Sequence, residues 1–184
     1  MSKKLKLFVL IIMISFVSNA VNADYKKLAY DFKFKDLDGS SLSLSEYKNK
    51  VIVIVNVASQ CGFTNQYDGL QKLWVDYKDK SVLVLGVPTN DFKQEPGSNS
   101  EIKKFCEANF NVNFPMTEKI NVIGKKSHPF YKWAKDNHGK SAIPKWNFHK
   151  IIIGKDGKVA DTFSPITKPS SNKFIKFIEQ KIKN

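Results

Sequence analysis

Hydrophobic and polar positions along the chain fall into short blocks whose period switches between two and about 3.6, the signatures of strand and helix. Val51 to Val57 is mostly β-branched and almost wholly apolar, which predicts a strand buried on both faces in the middle of a sheet. Leu70, Leu73, Trp74 and Tyr77 follow at helical spacing. Ser81 to Val87 is a second apolar run of strand length, so strand, helix and strand form a parallel, right-handed βαβ unit. Upstream, Phe32–Phe34 and Ser41–Leu44 alternate around Asp38-Gly39, the pattern of a hairpin. Downstream, Pro88–Gly97 is a polar loop, and Ser98–Ser100 can cap a helix running through about Ala108, with Ile102 and Phe105 turned inward and Cys106 near its end. Asn109–Pro115 reads as irregular, Met116–Val122 as a short extended piece, and Pro129–Ala134 as a helical turn or two. Ile151–Ile153 and Val159–Phe163 pair across a Gly154–Gly157 turn. Ser170–Ile182 closes the chain as a helix with Phe174, Phe177, Ile178 and Ile182 on one face.

This order predicts an α/β chain with a thioredoxin-like fold: a central mixed sheet flanked by helices, with an N-terminal β-hairpin. No internal repeat, low-complexity tract or linker divides it, so residues 24–184 are expected to form one domain. The first 23 residues are a different object. Lys3, Lys4 and Lys6 precede an apolar stretch from Leu7 to Val17, and small residues at Val21-Asn-Ala23 precede polar Asp24. That is the layout of a secretory signal peptide cut after Ala23; uncut, it would anchor the protein to a membrane. The expected location is therefore outside the cytoplasmic membrane, periplasmic or secreted.

Composition adds one constraint. The formal charge is +13, and all 30 basic residues are lysine, with no arginine anywhere. Arginine forks are the usual readers of bases and the usual clamps on carboxylates, and the lysines here are scattered without interleaved aromatics. A solvated basic surface is expected, with no nucleic-acid partner.

The candidate chemistry is that of cysteine. Cys61 follows the buried strand at the point where the chain turns toward the next helix. Unpaired N–H groups and the positive end of a helix dipole gather at such places and favour a thiolate. The competing reading is a small buried apolar residue ending a strand. The second cysteine, Cys106, leaves a static disulfide open as an alternative, although a domain of this size needs no staple. The residue three after Cys61 is Thr64, so the Cys-x-x-Cys of a disulfide exchanger is missing. A lone thiolate suits attack on an O–O bond, which leaves a sulfenic acid on the sulfur. His128, His138 and His149 are dispersed, and neither a metal nor a cofactor is expected.

Three stretches carry a family resemblance. Asn56-Val-Ala-Ser-Gln-Cys-Gly-Phe-Thr64 resembles the peroxidatic motif of the glutathione peroxidase family, and Leu85–Gly97 and Trp146-Asn-Phe148 resemble its second and third motifs in family order. The resemblance implies a thioredoxin-like fold and a catalytic tetrad of Cys61, Gln94, Trp146 and Asn147. It implies a cysteine-type, non-selenium peroxidase that reduces hydrogen peroxide or organic hydroperoxides in defence against oxidative stress. Cys106 resembles the resolving cysteine of relatives that close an internal disulfide and draw electrons from thioredoxin. Thr89 and Asp91 depart from the pattern, where many relatives have cysteine and glutamine. The absence of arginine disfavours a glutathione clamp, so the expected reductant is a thioredoxin-like protein before glutathione. The insertion associated with tetrameric relatives is missing, and a monomer is expected. Rival readings on the same fold are a peroxide sensor, an exported thiol–disulfide oxidoreductase and a metallochaperone.

Overall fold

Strand β3 (Val51–Val57) is buried at all seven positions and organises the molecule. A computed structural model describes residues 25–183; the predicted signal peptide lies outside the described residues. β3 pairs in parallel with β4 (Val82–Pro88) and antiparallel with β5 (Lys150–Ile153), which pairs in turn with β6 (Val159–Phe163). The sheet order is β4-β3-β5-β6.

Alternation along β3 divides the interior in two. Val51, Val53, Val55 and Val57 face a core shared with α1 (Gln66–Tyr77), α2 (Asn99–Phe110) and α4 (Asn172–Lys183). Ile52 and Ile54 face the opposite core, filled by α3 (Pro129–His138) and by the hairpin of β1 (Lys33–Lys35) and β2 (Ser41–Ser43). A strand that must be apolar on both sides is what the unbroken β-branched run encodes. Each fully buried Val or Ile contributes roughly 1.5–3 kcal/mol relative to exposure.

Helix ends differ from the sequence expectation where backbone geometry sets them. Ser98 and Glu101 form a reciprocal capping box, with Glu101 accepting from the Ser98 N–H at 2.7 Å. α2 then runs on to Phe110, two residues past Ala108, because Asn111 adopts a left-handed conformation (φ 50°) that stops it. α3 continues to His138, well beyond the turn or two expected. The expected extended piece at 116–122 is reduced to bridges from Met116 to Gly86 and from Thr117 to Asp36. Gly86 permits the first of these, since a Cβ there would stand 3.1 Å from the side chains of Phe114 and Met116.

Candidate active site

Cys61 lies on the turn that joins β3 to α1, and 8% of it is exposed. Thr64 ties that turn together. Its Oγ1 accepts from the Cys61 N–H at 3.0 Å and lies 2.7 Å from the Cys61 carbonyl, while its own N–H donates to the same carbonyl at 3.0 Å. The position that holds the second cysteine of a disulfide exchanger thus holds a turn-forming hydroxyl here. α1 begins only at Gln66, so four residues separate the sulfur from the helix. The direct partner of Sγ is a turn amide, the Phe63 N–H at 3.4 Å, and not the helix end that the sequence suggested. That N–H is a neutral donor aimed at the sulfur.

The loop after β4 is laced to this turn. The Gln94 carbonyl accepts from the N–H of Gln60, the residue before Cys61, at 3.0 Å. The buried Glu95 carboxylate accepts from both the N–H (2.8 Å) and the hydroxyl (3.0 Å) of Ser59. Burial pushes the Glu95 carboxyl up from its ordinary range, and the Ser59 hydrogen bonds and Lys119 act against that rise. Lys119 Nζ donates to the carbonyls of Glu95 and Gly97, which holds the far end of the loop. Asp91, a departure from the family pattern, accepts from the N–H groups of Val122 (2.6 Å) and Ile123 (3.0 Å) and so fastens the loop to the next segment.

The third motif is anchored from below by β3. Buried Asn56 donates from Nδ2 to the Trp146 carbonyl at 3.1 Å, and its own carbonyl accepts from the Phe148 N–H at 2.6 Å. Phe148 takes a left-handed φ of 65° with its ring fully buried, which directs the preceding residues toward the Gln94 loop. Asn147 is buried and donates from Nδ2 to Gln94 Oε1 at 2.9 Å. That bond fixes the orientation of the Gln94 amide and leaves its NH₂ end as a donor. Trp146 is 42% exposed, with its ring tilted against Phe92 at 5.5 Å. Gln94, Trp146 and Asn147 are therefore one connected set, joined through Gln60 to the Cys61 turn. Among the described residues the group hydrogen-bonded to Sγ is the Phe63 N–H; none of the three side chains bonds to the sulfur directly. Such contacts often tighten only when substrate is bound.

Cys106 stands near the end of its helix, as helical spacing put it. It sits inside α2 with 1% exposure, in the same core cluster as Cys61, and burial pushes its thiol up to about 11. Both cysteines are free thiols. Among the described residues no group of three His, Cys, Asp or Glu side chains could hold a metal ion. His149 is buried, and burial together with Lys150 pulls its imidazole down to about 4.

Several supporting residues went unread in the sequence. Asn56 left one signal, a lone polar residue inside an apolar strand. Lys150, fully buried on β5, donates to Gln66 Oε1 at 2.6 Å and to the Thr167 carbonyl at 2.7 Å, and burial lowers its ammonium to about 7. Glu95 and Tyr67 left no local signal, since their partners lie far away along the chain.

Comparison with known proteins decides the lineage. The family model described as glutathione peroxidase matches residues 29–135, which include Cys61, Gln94 and Cys106. This chain belongs to the glutathione peroxidase family. Within that family it is 46% identical over 144 residues to the glutathione peroxidase of Lactococcus lactis, covering 76% of this chain and 91% of that protein. It is also 46% identical over 147 residues to the glutathione peroxidase-like peroxiredoxin 2 of Saccharomyces cerevisiae, covering 77% and 90%. The apo crystal structure of Trgpx superposes with a TM-score of 0.69 at 37% identity, covering 86% of this chain and 97% of that one. The fold is thioredoxin-like, as expected, and this glutathione peroxidase homologue is a thiol-dependent peroxidase that takes a hydroperoxide substrate and a thiol reductant.

Proposed function

We propose that Cys61 is the nucleophile and that Gln94, Trp146 and Asn147 serve it with neutral N–H donors. The thiolate attacks one oxygen of hydrogen peroxide or an organic hydroperoxide and becomes a sulfenic acid, and the other oxygen departs as water or an alcohol. Neutral donors stabilise the charge on sulfur and on the leaving oxygen without trapping either as a tight ion pair. Cys106 then condenses with the sulfenic acid to give a Cys61–Cys106 disulfide. A thioredoxin-like dithiol protein reduces that disulfide in preference to glutathione, since no arginine is present to clamp glutathione carboxylates.

The observation that supports this reading most directly is the pinning of Gln94 to Gln60, beside Cys61, with Asn147 bonded to the Gln94 amide. The N-terminal pattern supports export after cleavage behind Ala23, with residues 24–184 acting as a single-domain monomer outside the cytoplasmic membrane. Steady-state peroxide consumption by oxidised protein supplied with thioredoxin or with glutathione, side by side, tests the reductant. Thioredoxin is expected to sustain turnover and glutathione to support little, and the reverse order refutes the assignment. The mass of the exported protein tests cleavage, with Asp24 as the expected first residue.

A further inference from the structure

Tyr67 carries a polar group that nothing in the first half of the reaction uses. It sits on α1, fully buried, with its ring edge-on to Phe148 at 5.4 Å and tilted against Phe110 at 5.3 Å. Phenylalanine would pack those contacts as well. The hydroxyl has no hydrogen-bond partner, although leaving a buried hydroxyl unpaired is destabilising. Tyr67 lies in one core cluster with Cys106 and Cys61, and the Phe110 ring it packs against stands one helical turn beyond Cys106 on α2; of the ionisable groups around it, Cys106 acts on it most strongly. Burial holds the phenol well above its ordinary value, so it keeps its proton and can act only by donating a hydrogen bond.

Cys106 needs such a donor. Burial raises its thiol, the charges of Glu95 and Glu107 oppose its ionisation further, and the Tyr67 hydroxyl acts in the opposite direction. On its outer side Cys106 lines a cleft of about 410 Å³ whose wall carries Asp36, Asp38, Glu46 and Lys103, a mostly acidic set that gives a thiolate little help. A protonated cysteine is a weak nucleophile.

We propose that the Tyr67 hydroxyl is the hydrogen-bond donor that activates Cys106 for disulfide closure, a role in the second half-reaction and not the first. The proposal rests on the reading of Cys61 and Cys106 given above. In this step the Cys106 sulfur attacks the Cys61 sulfenic sulfur. An S–S bond forms and the S–O bond breaks. The Cys106 sulfur is oxidised and the Cys61 sulfur reduced, and the thiol proton leaves with the hydroxide as water. Tyr67 retains its own proton throughout and stabilises the charge that gathers on Cys106 as the thiol proton departs.

Tyr67→Phe removes this donor without opening a cavity, and thermal unfolding should show a protein at least as stable as the parent. Reduced protein is mixed with one equivalent of hydrogen peroxide, and sulfenic acid and disulfide are followed separately, the first by dimedone trapping. Tyr67→Phe is expected to form sulfenic acid at the parent rate and to close the disulfide roughly 10- to 100-fold more slowly, so that trapped sulfenic acid accumulates. The rise of the closure rate with pH is expected to move to higher pH. Incorporation of 3-fluorotyrosine at position 67, a stronger donor of nearly the same shape, is expected to move that rise to lower pH, which a purely structural role would not do. Closure at the parent rate in Tyr67→Phe, with sulfenic acid formed normally, overturns the proposal and leaves the assignment of Cys61 standing. Absence of any sulfenic acid on Cys61 in Cys106→Ser overturns both.

Discussion

The two cysteines occupy one core cluster, yet their surroundings are built on opposite principles. Around Cys61 the polar groups are largely paired: Thr64 closes the turn, Glu95 holds Ser59, Gln94 holds Gln60 and Asn147 holds Gln94. The sulfur stands at the end of that lacing with an N–H aimed at it and a little surface open. Around Cys106 the packing is mostly apolar, the thiol is held protonated by burial, and the buried Tyr67 hydroxyl of the same cluster is unsatisfied. On the proposed reading, a peroxide meets one sulfur held in a hydrogen-bonded turn and another withheld by burial. The difference teaches how two thiols in one core can be made to react in order, since a thiolate is the nucleophile and a buried thiol is inert.

The sharpest break in the comparison is to remove one sulfur at a time. Cys61→Ser should abolish peroxide consumption, a loss of at least ~10³-fold in rate. Cys106→Ser should leave the first oxidation intact and block recycling by dithiols. Equal loss in a rapid single-turnover assay would show that the two sites are not distinct. Next in size is the lacing itself. Asn147→Ala frees the Gln94 amide and should slow peroxide attack by about 10²-fold while leaving the fold and the alkylation rate of Cys106 unchanged.

A third test concerns Lys150, which braces the first residue of α1 beyond the Cys61 turn. Its folded value, about 7, lies below the ordinary 10.5. Between those limits the unfolded chain binds a proton that the folded chain does not, so this group makes stability rise as pH increases, by up to ~1.4 kcal/mol per pH unit. Chemical denaturation at several pH values should show that rise, and Lys150→Met should flatten it. The smallest effect belongs to the other side. Ser98→Ala removes the cap of the helix that carries Cys106, costs about 1 kcal/mol, and should speed alkylation of Cys106 without altering peroxide attack at Cys61.

Much of this architecture can be read from residue patterns because period and β-branching are local properties. Val51–Val57, the βαβ unit, the Asp38-Gly39 hairpin and the closing helix all stand where alternation and helical spacing put them. The misses trace to single backbone conformations. Asn111 ends α2 later than its composition suggests, and the four-residue turn after Cys61 moves the start of α1 away from the sulfur. Gln94, Trp146 and Asn147 were legible through motif likeness, not through any property of their own; singly they read as a loop residue, a core aromatic and a turn former. Glu95, Asn56 and Lys150 bond to Ser59, Trp146 and Gln66, which lie 36, 90 and 84 positions away, where no local window reaches. Tyr67 is a further case: it left no local signal, and only the packed interior puts its buried hydroxyl in one cluster with the two thiols.

The ordered use of two sulfurs is tested most directly by treating the reduced protein with one equivalent of hydrogen peroxide in the presence of dimedone and mapping the products by peptide mass spectrometry. The account predicts a dimedone adduct on Cys61 alone in Cys106→Ser, and a Cys61–Cys106 disulfide in the parent protein. Primary oxidation at Cys106, or adducts shared evenly between the two cysteines, would contradict it.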